Sequence, residues 1–370
     1  MTTDPLTRSL HEDPTMPASP APDRPRLAAL DGLRLLAALA VLAYHYTAID
    51  QEFWGHPATQ EFPQLSLLTR YGYLGVELFF VISGFVILMT AYGRSLPAFV
   101  ASRISRLYPA YWAAVLLTVA LQAFWDGGRR VDPVDALVNL TMLQEAWGVT
   151  DVQGAFWTLW VELKFYLLIG VLLALGEVTR HRALAFALLW PVLAQLARAS
   201  DAALLESLLI TSWAPYFAGG MLLYLLHREG PDLLVLLGIG LNVVLAVHQA
   251  TRYADTVAPR HSDAPASQVV VALLVVLLFA LVHACSTGPL ARLDQAWLTT
   301  AGALTYPLYL VHGQFGFFVI DTLSGRVDSH VVLALATSLS LLLAWAVHRL
   351  VERPLHAPMR RAVRRSLSGR

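Results

Sequence analysis

The run Tyr73-Leu74-Gly75-Val76-Glu77-Leu78-Phe79-Phe80-Val81-Ile82-Ser83-Gly84-Phe85 stays apolar as far as Tyr92, and Glu77 is its only charge. As a helix, twenty residues rising about 1.5 Å each cover the roughly 30 Å of a bilayer's hydrocarbon. The run lacks the period-two alternation of a membrane strand. Similar runs recur, and length and hydropathy predict about ten spanning helices. They are placed at 30–49, 73–92, 108–125, 157–176, 182–199, 208–227, 233–248, 268–284, 300–320 and 331–350. Pro191 and Pro215 fall inside such runs, where neighbouring helices can satisfy the freed carbonyls. The mixed segment 133–143 is too short to span and reads as an amphipathic helix on the outer surface. The expected fold is all-α, a polytopic membrane helix bundle.

Composition agrees: 56% of the 370 residues are hydrophobic and 14% charged, against about 25% charged in soluble domains. A net charge of zero with no basic stripe argues against nucleic acid. Cys285 is the one cysteine, so no internal disulfide forms, and no Cys/His cluster has metal-ligand spacing. Residues 1–26 are polar and proline-rich, and read as a disordered cytoplasmic tail, not a signal peptide. The first helix is expected to act as an uncleaved signal. With the N-terminus inside, alternate loops collect 17 arginines on the inner face, Arg8, Arg24, Arg26 and Arg370 among them, and 7 outside, Arg129 and Arg260 among them. The positive-inside rule therefore places both termini in the cytoplasm. The basic segment 355–370 reads as a cytoplasmic tail, and the expected location is a bacterial inner (plasma) membrane.

Ionisable groups inside spanning helices point to function. Arg34 and His45 are eleven residues apart, close to three full turns, so they share one face about 16 Å apart along the axis. Glu77 and Glu162 are expected at the depth of His45, with Lys164 just below. A carboxylate beside the imidazole would fix its tautomer, as a general base requires. Each could equally be a structural partner of a neighbouring helix, an interaction adding only about 1 kcal/mol. Arg103 and Arg106, three apart, could clamp phosphate or simply set topology. His312 could line a cavity or satisfy a carbonyl across a helix interface.

Taken together, several segments resemble the acyltransferase-3 family of membrane acyltransferases. Leu30-Asp31-Gly32-Leu33-Arg34 with Tyr44-His45 looks like its Arg-x10-His signature, and Gly75–Phe80 with Ser83-Gly84-Phe85 like its second-helix motif. Arg103-Ile104-Ser105-Arg106-Leu107-Tyr108-Pro109, Trp157–Tyr166, Tyr306–His312 and Val351-Glu352-Arg353-Pro354 follow in family order. The resemblance implies a membrane acyltransferase domain over 27–354 that moves an acyl group, acetyl being the expected one, from acyl-CoA to a hydroxyl. Sugars, lipid-linked glycans and macrocyclic natural products are the implied acceptors. Arg34, Arg103 and Arg106 would hold the acyl-CoA. His45, oriented by Glu77, would be the base, with Glu162 a further catalytic carboxylate. Trp160, Tyr309 and His312 would contact the acceptor. An acyl-histidine intermediate is an alternative route. Acyl-CoA enters as donor substrate, with no tightly bound cofactor and no metal, and membrane lipids surround the bundle. Trp160 and Pro307 depart from the family pattern, and no esterase-like domain is expected outside the bundle. The competing class is an exporter of a carbohydrate or acyl group built on an intramembrane His/Glu relay, although no internal repeat is visible.

Overall fold

The computed structural model describes residues 27–49, 51–128, 130–258, 262 and 265–368. The tail 1–26, Arg8, Arg24, Arg26, Arg129, Arg260 and Arg370 lie outside the described residues. Among those described there are helices and no strand. The long helices are α1 (Ala28–Thr47), α2 (Leu74–Ala91), α3 (Leu96–Gln122), α4 (Trp157–Ala174), α5 (Arg180–Ala199) and α6 (Ala214–Glu229). They continue as α7 (Leu233–Thr256), α8 (Gln268–Ser286), α9 (Ala296–Leu323), α10 (Ser329–Val347) and α11 (Arg353–Ser368).

Nine helices among the described residues are long and apolar enough to cross a bilayer. The tenth expected crossing, α6, has 16 residues, about 24 Å. Every residue from Ala214 to Leu226 is buried, so α6 meets protein on all sides and its length need not match the hydrocarbon. Pro215 opens α6 instead of kinking it, because the first turn needs no proline N–H. Pro191 does lie inside α5. The Pro133–Asn139 segment forms the expected short helix, with Val134 and Leu137 exposed and Asn139 buried.

Two boundaries differ from the sequence reading. The third helix begins at Leu96, so Arg103 and Arg106 sit on it, and it runs through Pro109. The basic segment after residue 352 is a helix, α11, packed along α3. A single π turn, His348–Glu352, joins α10 to α11 and turns Glu352 inward. There, buried, its carboxylate accepts from Arg106 of α3 and from His348 Nδ1 at 2.9 Å.

Arg180 at the start of α5 ties it to the end of α6 through Glu229 at 2.5 Å and to the cap of α7 through Asp232 at 3.0 Å. Close approach at the centre depends on missing side chains. A Cβ at Gly84 of α2 would meet the Phe217 carbonyl of α6, and one at Gly220 of α6 would meet the Val81 carbonyl of α2. These reciprocal glycines let the two backbones touch, as small residues do in membrane bundles.

Candidate active site

Two cavities lie one beyond the other along α1, named inner and outer for the sides expected from the arginine count. The inner one, about 830 Å³, is lined from the inner ends of α1, α2, α3 and α9 by Arg34, Ser83, Met89, Arg103, Arg106 and Gly302, with Glu162 and Tyr166 of α4 and His356 of α11. The outer one, about 720 Å³, carries His45, Glu77, Arg198, Gln249, Tyr253 and His312. Val76, Phe79 and Tyr309 form part of the inner wall, and Val76 and Tyr309 part of the outer. Both volumes lie in the range of small-molecule sites.

The inner cavity is cationic. Arg34 stands 3.9 Å from Asp31, one turn earlier on α1. Arg103 lies over the Phe99 and Tyr166 rings at 5.9 and 5.8 Å, donates to Ser102 Oγ at 3.0 Å, and its buried Nε has no hydrogen-bond partner among the described residues. Arg106 is steered by Glu352. The three guanidinium groups expected from the sequence are thus brought together, two turns of α3 facing the start of α1. Such planar forks suit phosphate oxygens. Glu162 is here too, its Oε1 accepting from Ser83 Oγ at 2.9 Å and Tyr166 Oη at 2.6 Å. That corrects the expected depth: Ser83 lies six residues inward of Glu77, about 9 Å along the helix, so Glu162 is in the inner cavity and not level with His45.

The outer cavity is built around two histidines. His45 Nδ1 lies 2.8 Å from the Val41 carbonyl, and His312 Nδ1 lies 2.9 Å from the Tyr309 carbonyl. A carbonyl can only accept, so both Nδ1 atoms carry hydrogens in these contacts. His312 Nε2 then accepts, and it lies 3.4 Å from His45 Nδ1, with the rings edge to face at 5.0 Å. This arrangement leaves the basic lone pair of neutral His45 on Nε2. The expected orienting role of Glu77 is therefore corrected, because the Val41 carbonyl and His312 hold the Nδ1 of His45. Glu77 lines the same cavity, buried, and its Oε2 has no hydrogen-bond partner among the described residues, nor has Tyr73 Oη one turn away.

His312 is itself held in place. Tyr46 Oη donates to the His312 carbonyl at 2.6 Å. Gln153 donates to the Leu310 carbonyl at 3.1 Å and accepts from the Gln314 amide at 3.2 Å, two groups that an undisturbed helix would pair with each other. Gln153 thereby braces the turn of α9 that carries His312.

Trp160 lines neither cavity. Its ring lies 5.3 Å from the ammonium of Lys164, which donates to the Ser207 carbonyl at 3.0 Å. The residue is two away from Glu162 and faces another side of α4, so its expected acceptor contact is corrected. Trp160→Phe should leave kcat and KM within about twofold of wild type, as for surface changes away from a site; a larger change in steady-state kinetics would return it to the site. Sequence reasoning missed Ser83, Tyr166, Glu352 and His356, and also the aromatic outer wall of Tyr44, Tyr73, Trp157, Trp213 and Tyr216. Tyr166, one turn from Glu162, was detectable by helical spacing.

The sequence model of a family described as an acyltransferase domain matches residues 27–349. The chain belongs to the acyltransferase-3 family. This acyltransferase is 28% identical over 317 residues to the acyltransferase MdmB of Streptomyces mycarofaciens, covering 78% of each chain. It is also 28% identical over 168 residues to the putative peptidoglycan O-acetyltransferase YrhL of Bacillus subtilis (strain 168), covering 40% of this chain and 24% of that protein. Protein 2 in the picA locus of Rhizobium radiobacter is 38% identical over 102 residues, 26% of this chain and 45% of that one. No solved structure matches. Between the two classes weighed from the sequence, membership decides for a membrane acyltransferase over an exporter.

Proposed function

We propose that acyl-CoA binds in the inner cavity through Arg34, Arg103 and Arg106, and that its acyl group is transferred to an acceptor hydroxyl in the outer cavity with His45 as general base. His45 Nε2 takes the hydroxyl proton, the oxygen attacks the thioester carbonyl, and the C–S bond breaks. The proton returns from the imidazolium to the leaving sulfur, giving ester and free CoA. His312, accepting from His45 Nδ1, steadies the ring while it is charged. The observation that carries this reading is the assembly of three arginines in one cavity and a tautomer-fixed histidine in the next. Acetyl is the proposed acyl group. A sugar, a lipid-linked glycan or a macrocyclic alcohol suits the aromatic and amide-lined outer cavity.

The test is release of CoA from acetyl-CoA by protein purified into nanodiscs, over a panel of hydroxyl acceptors. Acceptor-dependent release is expected, and its absence with every acceptor would overturn the proposal. Arg103→Gln should raise KM for acetyl-CoA by roughly ten- to a hundredfold, the value of one hydrogen bond to a charged group, with kcat little changed. An unchanged KM would remove Arg103 from donor binding.

A further inference from the structure

Between the two cavities lies a small apolar cluster. Val41, Ala155 and Tyr309 are buried together there, with Val76 and Phe79 packed against them. Val41 lies seven residues beyond Arg34 and four short of His45 on α1, about 10 Å from one and 6 Å from the other along the axis. This collar thus stands between the arginine and the histidine along α1, and its Val76 and Tyr309 line both cavities. The Tyr309 ring is fixed, since its hydroxyl donates to the Ala155 carbonyl at 3.2 Å and contacts Thr158 Oγ1 at 2.8 Å. Val41 and Val76 are β-branched and stiff. Phe79 differs: half-buried, it meets Tyr309 edge to face at 6.0 Å, has no polar anchor, and borders the inner cavity.

We infer that this collar is a hydrophobic seal with Phe79 as its movable leaf. An apolar constriction expels water, and thereby blocks ions, without closing sterically. Rotation of Phe79 toward the inner cavity admits the thioester end of the donor to His45, and its return keeps inner-side water away from the thioester. The seal determines the fate of the acyl group: transfer to the acceptor hydroxyl, or hydrolysis, in which water adds to the same carbonyl to give the free acid and CoA. This second part rests on the proposed function, whereas the seal itself does not.

The experiment places wild type and Phe79→Ala in vesicles of phosphatidylethanolamine and phosphatidylglycerol and follows dissipation of an imposed pH gradient with an entrapped dye. Phe79→Ala should dissipate it about tenfold faster as the dewetted constriction floods, while Phe79→Leu stays tight. Equal leak rates for wild type and a Phe79→Ala protein of unchanged circular dichroism would overturn the seal. In nanodiscs with acetyl-CoA, Phe79→Ala should also raise acceptor-independent hydrolysis about tenfold, since exclusion of water is what suppresses that reaction. Leak without added hydrolysis would overturn the shielding role alone. If Phe79→Ala does not fold, Phe79→Trp should slow transfer while hydrolysis stays at the wild-type rate, and unslowed transfer would overturn the movable leaf. Should no acceptor stimulate CoA release by the wild type, the proposed function fails, and the leak measurement still decides the seal.

Discussion

Replacing His45 with glutamine should lower kcat for acyl transfer by about a thousandfold, within the range attributed to a positioned general base. Glutamine's amide can still donate to the Val41 carbonyl, which His45 Nδ1 contacts at 2.8 Å, so α1 keeps its local bonding. It offers no lone pair of comparable basicity where Nε2 stood, and the acceptor hydroxyl must then lose its proton to water or to nothing. KM for acetyl-CoA should hold steady, because the cations that would bind the donor are in the other cavity. A fall in kcat with constant KM marks an interaction made in the transition state and not in the ground state. The measurement is initial rate against acetyl-CoA at saturating acceptor. A kcat within threefold of wild type, our rough threshold against the hundredfold minimum expected of a general base, would remove His45 from the chemistry.

The second large effect is on folding. Gly84→Val and Gly220→Val should each prevent accumulation of folded protein, since the added carbons would overlap the Phe217 and Val81 carbonyls respectively. Overpacking in a rigid interior costs about 1–3 kcal/mol when neighbours can yield, and backbone carbonyls of a buried helix yield least. Even the alanine variants should lose thermal stability. They should also be non-additive, because both force the same α2–α6 contact apart. Gly240→Ala is the control: nothing lies within 4 Å of the Cβ it would add, so it should hold or raise stability by up to about 1 kcal/mol through helix propensity. Size-exclusion profiles and melting in detergent read the result. Monodisperse Gly84→Val protein melting with wild type would refute the packing argument.

The helices were legible because hydrocarbon thickness imposes a length on any apolar run. Where lipid is not the neighbour, that rule gives out. α6 is enclosed by protein and shorter than a span, while α11 and the first turns of α3 carry arginines that read as loop. The candidate site was legible as a set of residue types and not as a geometry. Arg34, Arg103 and Arg106 do meet, but Glu162 joins them instead of His45, because the relative heights of α2 and α4 depend on loop packing. His45 and His312 are 267 residues apart, and no local pattern couples them. The aromatic outer wall is indistinguishable in sequence from the Trp and Tyr that crowd any membrane interface.

Under the proposed function and the sidedness expected from the arginines, the two cavities would face different media, and that would divide how the protein could be inhibited. A molecule shaped for the aromatic outer chamber would reach its target from the external solution and need not be membrane-permeable. One that mimics the phosphate-bearing donor would first have to enter the cell, carrying the charge that hinders its entry. A single compound joining both halves would have to thread its linker past Phe79, so a slim, unbranched and apolar tether is the shape that the protein would accept.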